Sequence, residues 1–255
     1  MKIVDYNFPP IDELIFTTGI SPPLTFLRSE HIGLYWSLIK GHFPKVSQGF
    51  PIGNYQPLEK DELQPLPRYI FNSIDNSQVI QIQKNAFIFN WRNQNNDIYP
   101  RYRKLKSIFD TNLNIFTGFV KEEFNQTKFV IKECHLTYVN IVNLCDLWTG
   151  PNDTCKVIKG FKFPDFGVEQ TTTTHFVYDY NLYLNQNLTL KPRIEINYNP
   201  NSREPQLLVT LQAIGTLDDD EKSVMLDWFD HANKELNKLF DCLTTDDIQR
   251  YWNKG

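Results

Sequence analysis

Apolar residues in the first half of the chain recur with two different periods. Short runs that alternate or cluster as in strands lie at 13–18, 69–71, 79–82 and 86–91. Helical spacing follows Ser29, a predicted N-cap, as far as His42, and appears again from Pro100 to Phe124. Residues 44–67 contain five prolines and two glycines, so we expect a loop there.

The second half shows a similar succession of patterns. A long strand is predicted from Phe129 to Val142, followed by an irregular segment over 143–174. Three further strands are expected at 175–185, 193–199 and 206–216. The last long helix is predicted to begin at Asp218, which forms a capping box with Glu221. Thr244 is expected to cap a short final helix.

The order of elements is nearly the same in both halves. The first half reads strand, helix, three strands and helix, and the second has an irregular segment in place of the first helix. Antiparallel strands with a long helix across one face predict an α+β fold. We expect two pseudo-repeated halves, 1–125 and 126–255, which could also form one integrated domain with a continuous antiparallel sheet.

Composition excludes several classes of protein. The 255 residues include 19 Phe, 12 Tyr and 5 Trp, and the net charge is −4. So many aromatics and so small a charge exclude a disordered chain, and four cysteines are too few for a disulfide scaffold. No apolar signal segment follows Met1 and no window resembles a membrane span, so we expect a cytoplasmic protein with reduced thiols.

Five segments together carry a family resemblance. They are 9–16, 31–36 with 43–44, 87–92 with 99–102, 134–140, and 228–252. Their motifs, such as FNWR, YPRY, CHLTYVN and WFD followed by LTT and W, resemble a sporadically distributed bacterial family of uncharacterised proteins of roughly this length. The resemblance implies an accessory locus, such as an antiviral defence or toxin–antitoxin neighbourhood, and implies no activity.

One departure from that family bears on catalysis. The family places a His-Glu pair after the alanine of the last motif, whereas this chain has Asn233-Lys234, with His231 before the alanine. A catalytic role for the family histidine is therefore not carried over to this chain.

The sequence gives little support for a metal or cofactor site. Cys134, His135, Cys145 and Cys155 lack the close pairs of a zinc site, and buried structural thiols explain them better. The acidic run 218–221 is explained by helix capping. Neither a phosphate-binding glycine loop nor a nucleophile elbow occurs, so we expect no metal and no cofactor. Whether the protein is an enzyme stays open, although we favour a non-enzymatic role.

One corner of the predicted fold combines cations and aromatic rings. Trp91, Arg92, Tyr99, Arg101 and Tyr102 come where a strand ends and a helix begins. Arginines and rings stack on bases, and a helix N-terminus attracts phosphate. The competing interpretation, which we favour, is that the rings pack this corner and the arginines pair locally.

Two further aromatic features point to a partner. Trp148 lies in an irregular segment, where it could anchor a partner or fill the core below a loop. The strand 176–183 shows aromatics on both faces, which suits a sheet edge that pairs with another chain.

Three hypotheses follow for function. The first is a non-enzymatic interaction or accessory subunit with a protein partner encoded nearby, and a homo-oligomer is an open alternative. The second is a small-molecule sensor with its ligand between sheet and helix. The third is an enzyme that acts on nucleic acid through Arg92, Arg101 and His135. Nucleic acid is not the favoured partner, and a membrane is not expected.

Overall fold

The structure, a computed structural model, describes residues 6–53, 66–94, 98–124, 129–162, 174–198, 206–219 and 221–254. The predicted α+β class is confirmed, because these residues form five helices and an antiparallel sheet of ten strands. The helices are α1 (Ser29–Ile39), α2 (Tyr102–Phe124), α3 (Thr154–Val157), α4 (Lys222–Leu243) and α5 (Asp246–Lys254). The strands are β1 (Ile11–Ser21), β2 (Lys45–Gly49), β3 (Arg68–Asn72), β4 (Gln78–Gln83), β5 (Ala86–Arg92), β6 (Val130–Val142), β7 (Thr174–Asp179), β8 (Leu182–Asn185), β9 (Leu188–Tyr198) and β10 (Gln206–Thr216).

The topology confirms the predicted repeat in the order of elements. The strand order is β2-β3-β4-β5-β1-β6-β10-β9-β7, and β8 pairs with β9. Each half of the chain contains a strand, a helical segment, four strands and a long helix. In each half the first strand lies beside the last of the four, as β1 does beside β5 and β6 beside β10.

The sequence pattern missed one strand in each half. β2 lies in the segment predicted as a loop, because its residues are exposed and show no apolar alternation. The predicted strand 175–185 is two strands, β7 and β8, which both pair with β9. The break falls where the Tyr180 N–H donates to the Pro192 carbonyl at 3.4 Å, since Pro192 has no N–H to donate in return. Residues 54–65, 163–173 and 199–205 of the predicted loops lie outside the described residues.

Three predicted helix caps are wrong by one to three residues. α1 is preceded by Arg28, whose backbone N–H donates to His31 Nδ1 at 3.1 Å, so Ser29 is already helical. α4 begins at Lys222, after a turn in which Asp219 Oδ1 accepts the Glu221 N–H at 2.9 Å. Thr245 precedes α5, because the Thr244 hydroxyl donates to the Phe240 carbonyl at 2.8 Å in the last turn of α4.

The described chain divides into two compact units. Residues 14–135 and 216–228 form the N-terminal unit, and residues 1–13, 136–215 and 229–255 form the C-terminal unit. The predicted halves 1–125 and 126–255 stay a prediction about domain organisation. Among the described residues, no helix has the length and apolar character needed to cross a membrane.

Aromatic rings form the core of the N-terminal unit. Phe109 on α2 stacks on Phe16 of β1 with centroids 5.0 Å apart, and Phe116 stacks on Phe87 of β5 at 5.4 Å. Tyr35 on α1 meets Phe116 edge to face at 5.6 Å. The predicted α2 stripe therefore packs on one face of the sheet. Strand register places Arg68, Ile70, Gln81, Gln83, Ile88 and Asn90 on the other face, here named the opposite face.

The C-terminal unit has a second core of the same kind. Phe229, Leu236 and Phe240 on α4 are buried, as are the alternate β10 residues Leu207, Val209, Leu211 and Ala213. The rings of Tyr6, Phe240 and Trp252 form a cluster with centroids 5.2–6.0 Å apart. Many of the aromatic residues in the composition therefore lie in two cores.

Candidate functional site

The aromatic rings of the predicted corner pack inside the N-terminal unit. Trp91 is 3% exposed, and its ring lies 5.4 Å from that of Tyr99. Tyr102 stacks on Phe16 with centroids 5.9 Å apart. Base stacking by Trp91 would therefore require the end of β5 to open, which favours the structural interpretation of this corner.

The two arginines of the corner occupy different positions. Arg101 directly precedes α2, and its carbonyl accepts the Leu105 N–H at 3.2 Å. Its φ of 74° lies in the left-handed region, which is uncommon for a residue with a side chain. Arg92 ends β5, where its charge acts on Arg68. Arg92 thus places a positive charge at the end of β5, and Arg101 adopts a backbone conformation that has a steric cost.

Trp148 belongs to the C-terminal unit and is fully buried. Its Nε1–H donates to Thr154 Oγ1 at 3.2 Å, and its backbone exchanges two 3.0 Å hydrogen bonds with Cys145. The ring therefore fills the core beneath the irregular segment.

His135 and Cys134 are neighbours on β6 and are held by structural contacts. His135 Nε2 lies 2.6 Å from Glu133 Oε1, which forms a partly exposed His–carboxylate pair on β6. Cys134 is fully buried on the other side of the strand, and burial raises the pKa of its thiol well above the usual value. Such a thiol is a poor nucleophile at neutral pH. Among the described residues, no group of three or more His, Cys, Asp and Glu side chains could hold a metal ion.

A polar cluster on the opposite face of the N-terminal unit was not predicted from the sequence. Arg68 Nη1 donates to Gln81 Oε1 at 2.8 Å, and Gln81 Nε2 donates to Asn90 Oδ1 at 2.8 Å. Gln83 lies on the same face, where its amide exchanges two 2.9 Å hydrogen bonds with the backbone of Ile52. The signal that the sequence offered was the pair of glutamines at alternate positions, Gln81 and Gln83, which follows the apolar Val79 and Ile80.

A groove of about 220 Å³ lies beside α2 in the N-terminal unit. Its lining includes Leu113, Thr117 and Lys121 from α2, Val130 from β6, and Met225 from α4. Lys222, also at the groove, pairs with Asp110 at 2.5 Å. Because ligand pockets usually measure about 300–1,000 Å³, this groove suits at most a small ligand.

The outer edge of the C-terminal unit exposes aromatic side chains. β7 and β8 pair with β9, and the exposed fractions of Tyr178 and Tyr183 are 51% and 79%. Polar pairs fix β7 to β9, since His175 Nδ1 lies 2.7 Å from Asn197 Oδ1, and Asp179 lies 3.5 Å from Arg193. The β7–β8 edge, defined as residues 174–185, thus combines a fixed backbone with exposed rings.

The segments that carry the family resemblance also make structural contacts. The Tyr138 hydroxyl of one segment donates to Asn233 Oδ1 of another at 2.7 Å. Trp36 Nε1 donates to the Phe43 carbonyl at 3.0 Å, which joins the two parts of a third. No protein-family model matches this chain, and no curated protein matches it. The family resemblance therefore stays a prediction.

Proposed function

We propose that this protein is a cytoplasmic, non-enzymatic interaction subunit of a bacterial accessory locus. Its partner is a protein encoded nearby, which adds an extended segment to the β7–β8 edge. The locus is of the defence or toxin–antitoxin kind, as the family resemblance implies. The observation that carries this proposal is the exposure of Tyr178 on β7 and Tyr183 on β8, the two strands that pair with β9 at the outer edge of the described sheet.

Exposed rings have a physical consequence at the β7–β8 edge, beside which the described residues place no further strand. Proteins usually protect an edge strand with charges, prolines or a covering element, because its free backbone groups pair readily with another chain. Besides the charged Asp179, this edge exposes two tyrosines and Leu184, which is 43% exposed. Tyrosine is enriched at binding hot spots, and main-chain pairing supplies further affinity. These features favour a partner with an extended segment.

The test is co-purification from the native locus, with the neighbouring gene products quantified. We expect a neighbour-encoded protein to co-elute with the wild type, and to be lost when Tyr178 and Tyr183 are both changed to Ser. Tyr251→Ser is the matched control, because Tyr251 is 47% exposed on α5, away from this edge in sequence. Equal recovery in all three forms would contradict the proposed surface, and a homo-oligomer alone would contradict the nearby-encoded partner.

The second candidate function is a small-molecule sensor. The groove beside α2 favours it, since it lies between a helix and the start of β6 and combines apolar walls with Lys121 and Thr117. Its volume is below the usual range for a ligand pocket, which makes this the weaker candidate. Replacement of Thr117 by Trp should block the groove, so an unchanged cellular phenotype in this variant would count against the sensor.

The third candidate, an enzyme that acts on nucleic acid, stays a prediction. It requires Arg92, Arg101 and His135, and alanine at each position should abolish an activity seen in the cell. The burial of Trp91 removes the ring that would stack on a base, so the structure offers less support for it than for a protein partner.

A further inference from the structure

The groove beside α2 has an apolar floor that belongs to the N-terminal unit. The groove floor, defined as Leu113, Leu217 and Met225, consists of side chains that are almost completely buried. The Leu217 N–H donates to the Lys132 carbonyl of β6 at 2.9 Å, which holds this part of the floor against the sheet. The apolar body of a ligand therefore meets a surface that is already formed.

Two lysines give the wall of the groove a cationic character. Lys121 and Lys222 are among its described lining residues, which include no Asp and no Glu. Lys222 Nζ lies 2.5 Å from Asp110 Oδ1 and donates to Asn114 Oδ1 at 3.0 Å, so Asp110 compensates the charge of this lysine. An ammonium group has three N–H donors, and the third one of Lys222 has no acceptor among the described residues.

Lys121 supplies a charge that is not compensated. Its side chain is exposed at the groove, and no ion-pair or hydrogen-bond partner of this ammonium lies in the part of the chain that the structure describes. The α2 residues three and four positions away are Thr117, Gly118 and Phe124, none of which carries a charge. The groove thus combines an apolar floor with one free positive charge that solvent and ligands can reach.

The volume of the groove restricts it to small ligands. The groove measures about 220 Å³, which is the volume of about seven water molecules in the liquid. A short-chain carboxylate such as hexanoate is of this size, whereas a nucleotide or a long-chain fatty acid is too large.

We propose that this groove binds a small carboxylic acid in its ionised form, with the apolar chain on the groove floor and the carboxylate between Lys121 and the third N–H of Lys222. A hydrogen bond between two ionised groups is stronger than one between neutral groups, and the apolar floor reduces competition by water. The proposal rests on the second candidate function, the sensor, and names the class of its ligand. It does not depend on the β7–β8 edge, which belongs to the C-terminal unit.

The first test compares three probes that share one apolar chain. The full chain is titrated at pH 7 and constant ionic strength with hexanoate, an anion, with 1-hexanol, which is neutral, and with hexylammonium, a cation. We expect saturable binding of hexanoate, with 1-hexanol bound about tenfold more weakly and hexylammonium more weakly still. No saturable binding of hexanoate would overturn the proposal. Equal or tighter binding of 1-hexanol or hexylammonium would overturn the assigned charge of the ligand.

The second test removes the free charge. Lys121→Met should weaken hexanoate binding about tenfold and leave the binding of 1-hexanol unchanged. Lys104→Met is the matched control, because Lys104 is an exposed lysine near the start of α2 that does not line the groove. It should bind hexanoate as the wild type does. Equal hexanoate affinity of Lys121→Met and the wild type would overturn the proposal, as would an equal loss in both variants.

A third test fills the groove. Thr117→Trp should abolish hexanoate binding, and Thr111→Trp is its control, because both hydroxyls donate to carbonyls of α2 but only Thr117 lines the groove. Hexanoate binding that survives in Thr117→Trp would place the ligand elsewhere and overturn the proposal. Should Thr117→Trp fail to fold, Lys121→Met decides, because the exposed Lys121 makes no contact that the fold requires.

Failure of the ligand class and failure of the sensor are distinguishable. A changed cellular phenotype of Thr117→Trp, without binding of hexanoate to the wild type, would retain the sensor and overturn the carboxylate. Hexanoate binding with an unchanged phenotype would support the site and contradict the sensor. The double variant of Tyr178 and Tyr183 should bind hexanoate as the wild type does, since those residues lie in the other unit.

Discussion

The Tyr138 hydroxyl of β6 donates a 2.7 Å hydrogen bond to Asn233 Oδ1 of α4, and Asn237 Nδ2 donates to the same oxygen at 2.9 Å. Tyr138 is buried, so this bond joins sheet and helix inside the C-terminal unit. Asn233 stands where the resembled family has a histidine. In this chain the position therefore holds a helix against a strand.

Tyr138→Phe should lower the free energy of unfolding by about 1 kcal/mol, since it removes one hydrogen bond and retains the ring. Chemical denaturation measures this difference. A double-mutant cycle with Asn233→Ala should give a coupling energy between the two changes. Additive effects of the two substitutions would contradict a direct interaction.

Tyr35→Phe should leave stability unchanged or raise it, because the Tyr35 hydroxyl is buried with no hydrogen-bond partner in the described residues. Tyr69→Phe is the matched control, since the buried Tyr69 donates to Ser29 Oγ at 3.0 Å. The free energy of unfolding of Tyr69→Phe should be lower than that of the wild type by about 0.5–1.5 kcal/mol. Thermal unfolding of both variants checks this contrast, and a larger loss for Tyr35→Phe would show that its hydroxyl is satisfied.

Gly19→Ala should destabilise the N-terminal unit by about 1–3 kcal/mol, because the added Cβ would lie 2.9 Å from Glu133 Cβ. Gly33→Ala is the control, as Gly33 lies within α1 and an added Cβ meets nothing within 4 Å. Alanine has a higher helix propensity than glycine, so the free energy of unfolding of Gly33→Ala should be higher than that of the wild type by about 1 kcal/mol. Urea unfolding of both variants measures the two opposite shifts, and a neutral Gly19→Ala would contradict the close approach of β1 and β6.

Asp75 should make stability depend on pH at the turn between β3 and β4. The Ser73 hydroxyl and the Ser77 backbone N–H donate to this carboxylate, and these bonds hold its pKa below the usual value. A carboxyl whose pKa is lower in the folded state stabilises fully above the unfolded value of about 3.9, and this contribution disappears as the pH falls through the folded pKa.

The wild type should therefore exceed Asp75→Asn in free energy of unfolding at pH 7, and the difference should shrink as the pH is lowered below about 4. Denaturation at several pH values from 7 to well below about 4 measures this difference. If the free energies of unfolding of the wild type and Asp75→Asn differed by the same amount at every pH, the hydrogen bonds of the Asp75 carboxylate would contribute no stability.

The sequence predicted those elements whose apolar period is set locally. Phe109 and Phe116 lie in the helical spacing that predicted α2, and the strand predicted from Phe129 to Val142 is β6. β2 escaped prediction because an exposed edge strand needs no apolar residue. It exists through its pairing with β3.

The candidate sites also depend on contacts that the sequence pattern does not reveal. Trp91 and Trp148 were selected by residue type, yet their burial depends on contacts that residue type does not reveal. Arg68 was passed over, because its cluster arises when strand register brings it to Gln81 across thirteen residues. Only pairing across the sheet creates that combination of groups.

The most direct test of the interaction account is hydrogen–deuterium exchange on the purified complex with the neighbour-encoded partner. Because the partner is expected to add a strand to the β7–β8 edge, backbone amides within 174–185 should gain protection on binding. The same amides should exchange equally with and without partner in the Tyr178→Ser, Tyr183→Ser double variant. Protection confined to other segments, with 174–185 unchanged in the wild type, would contradict the account.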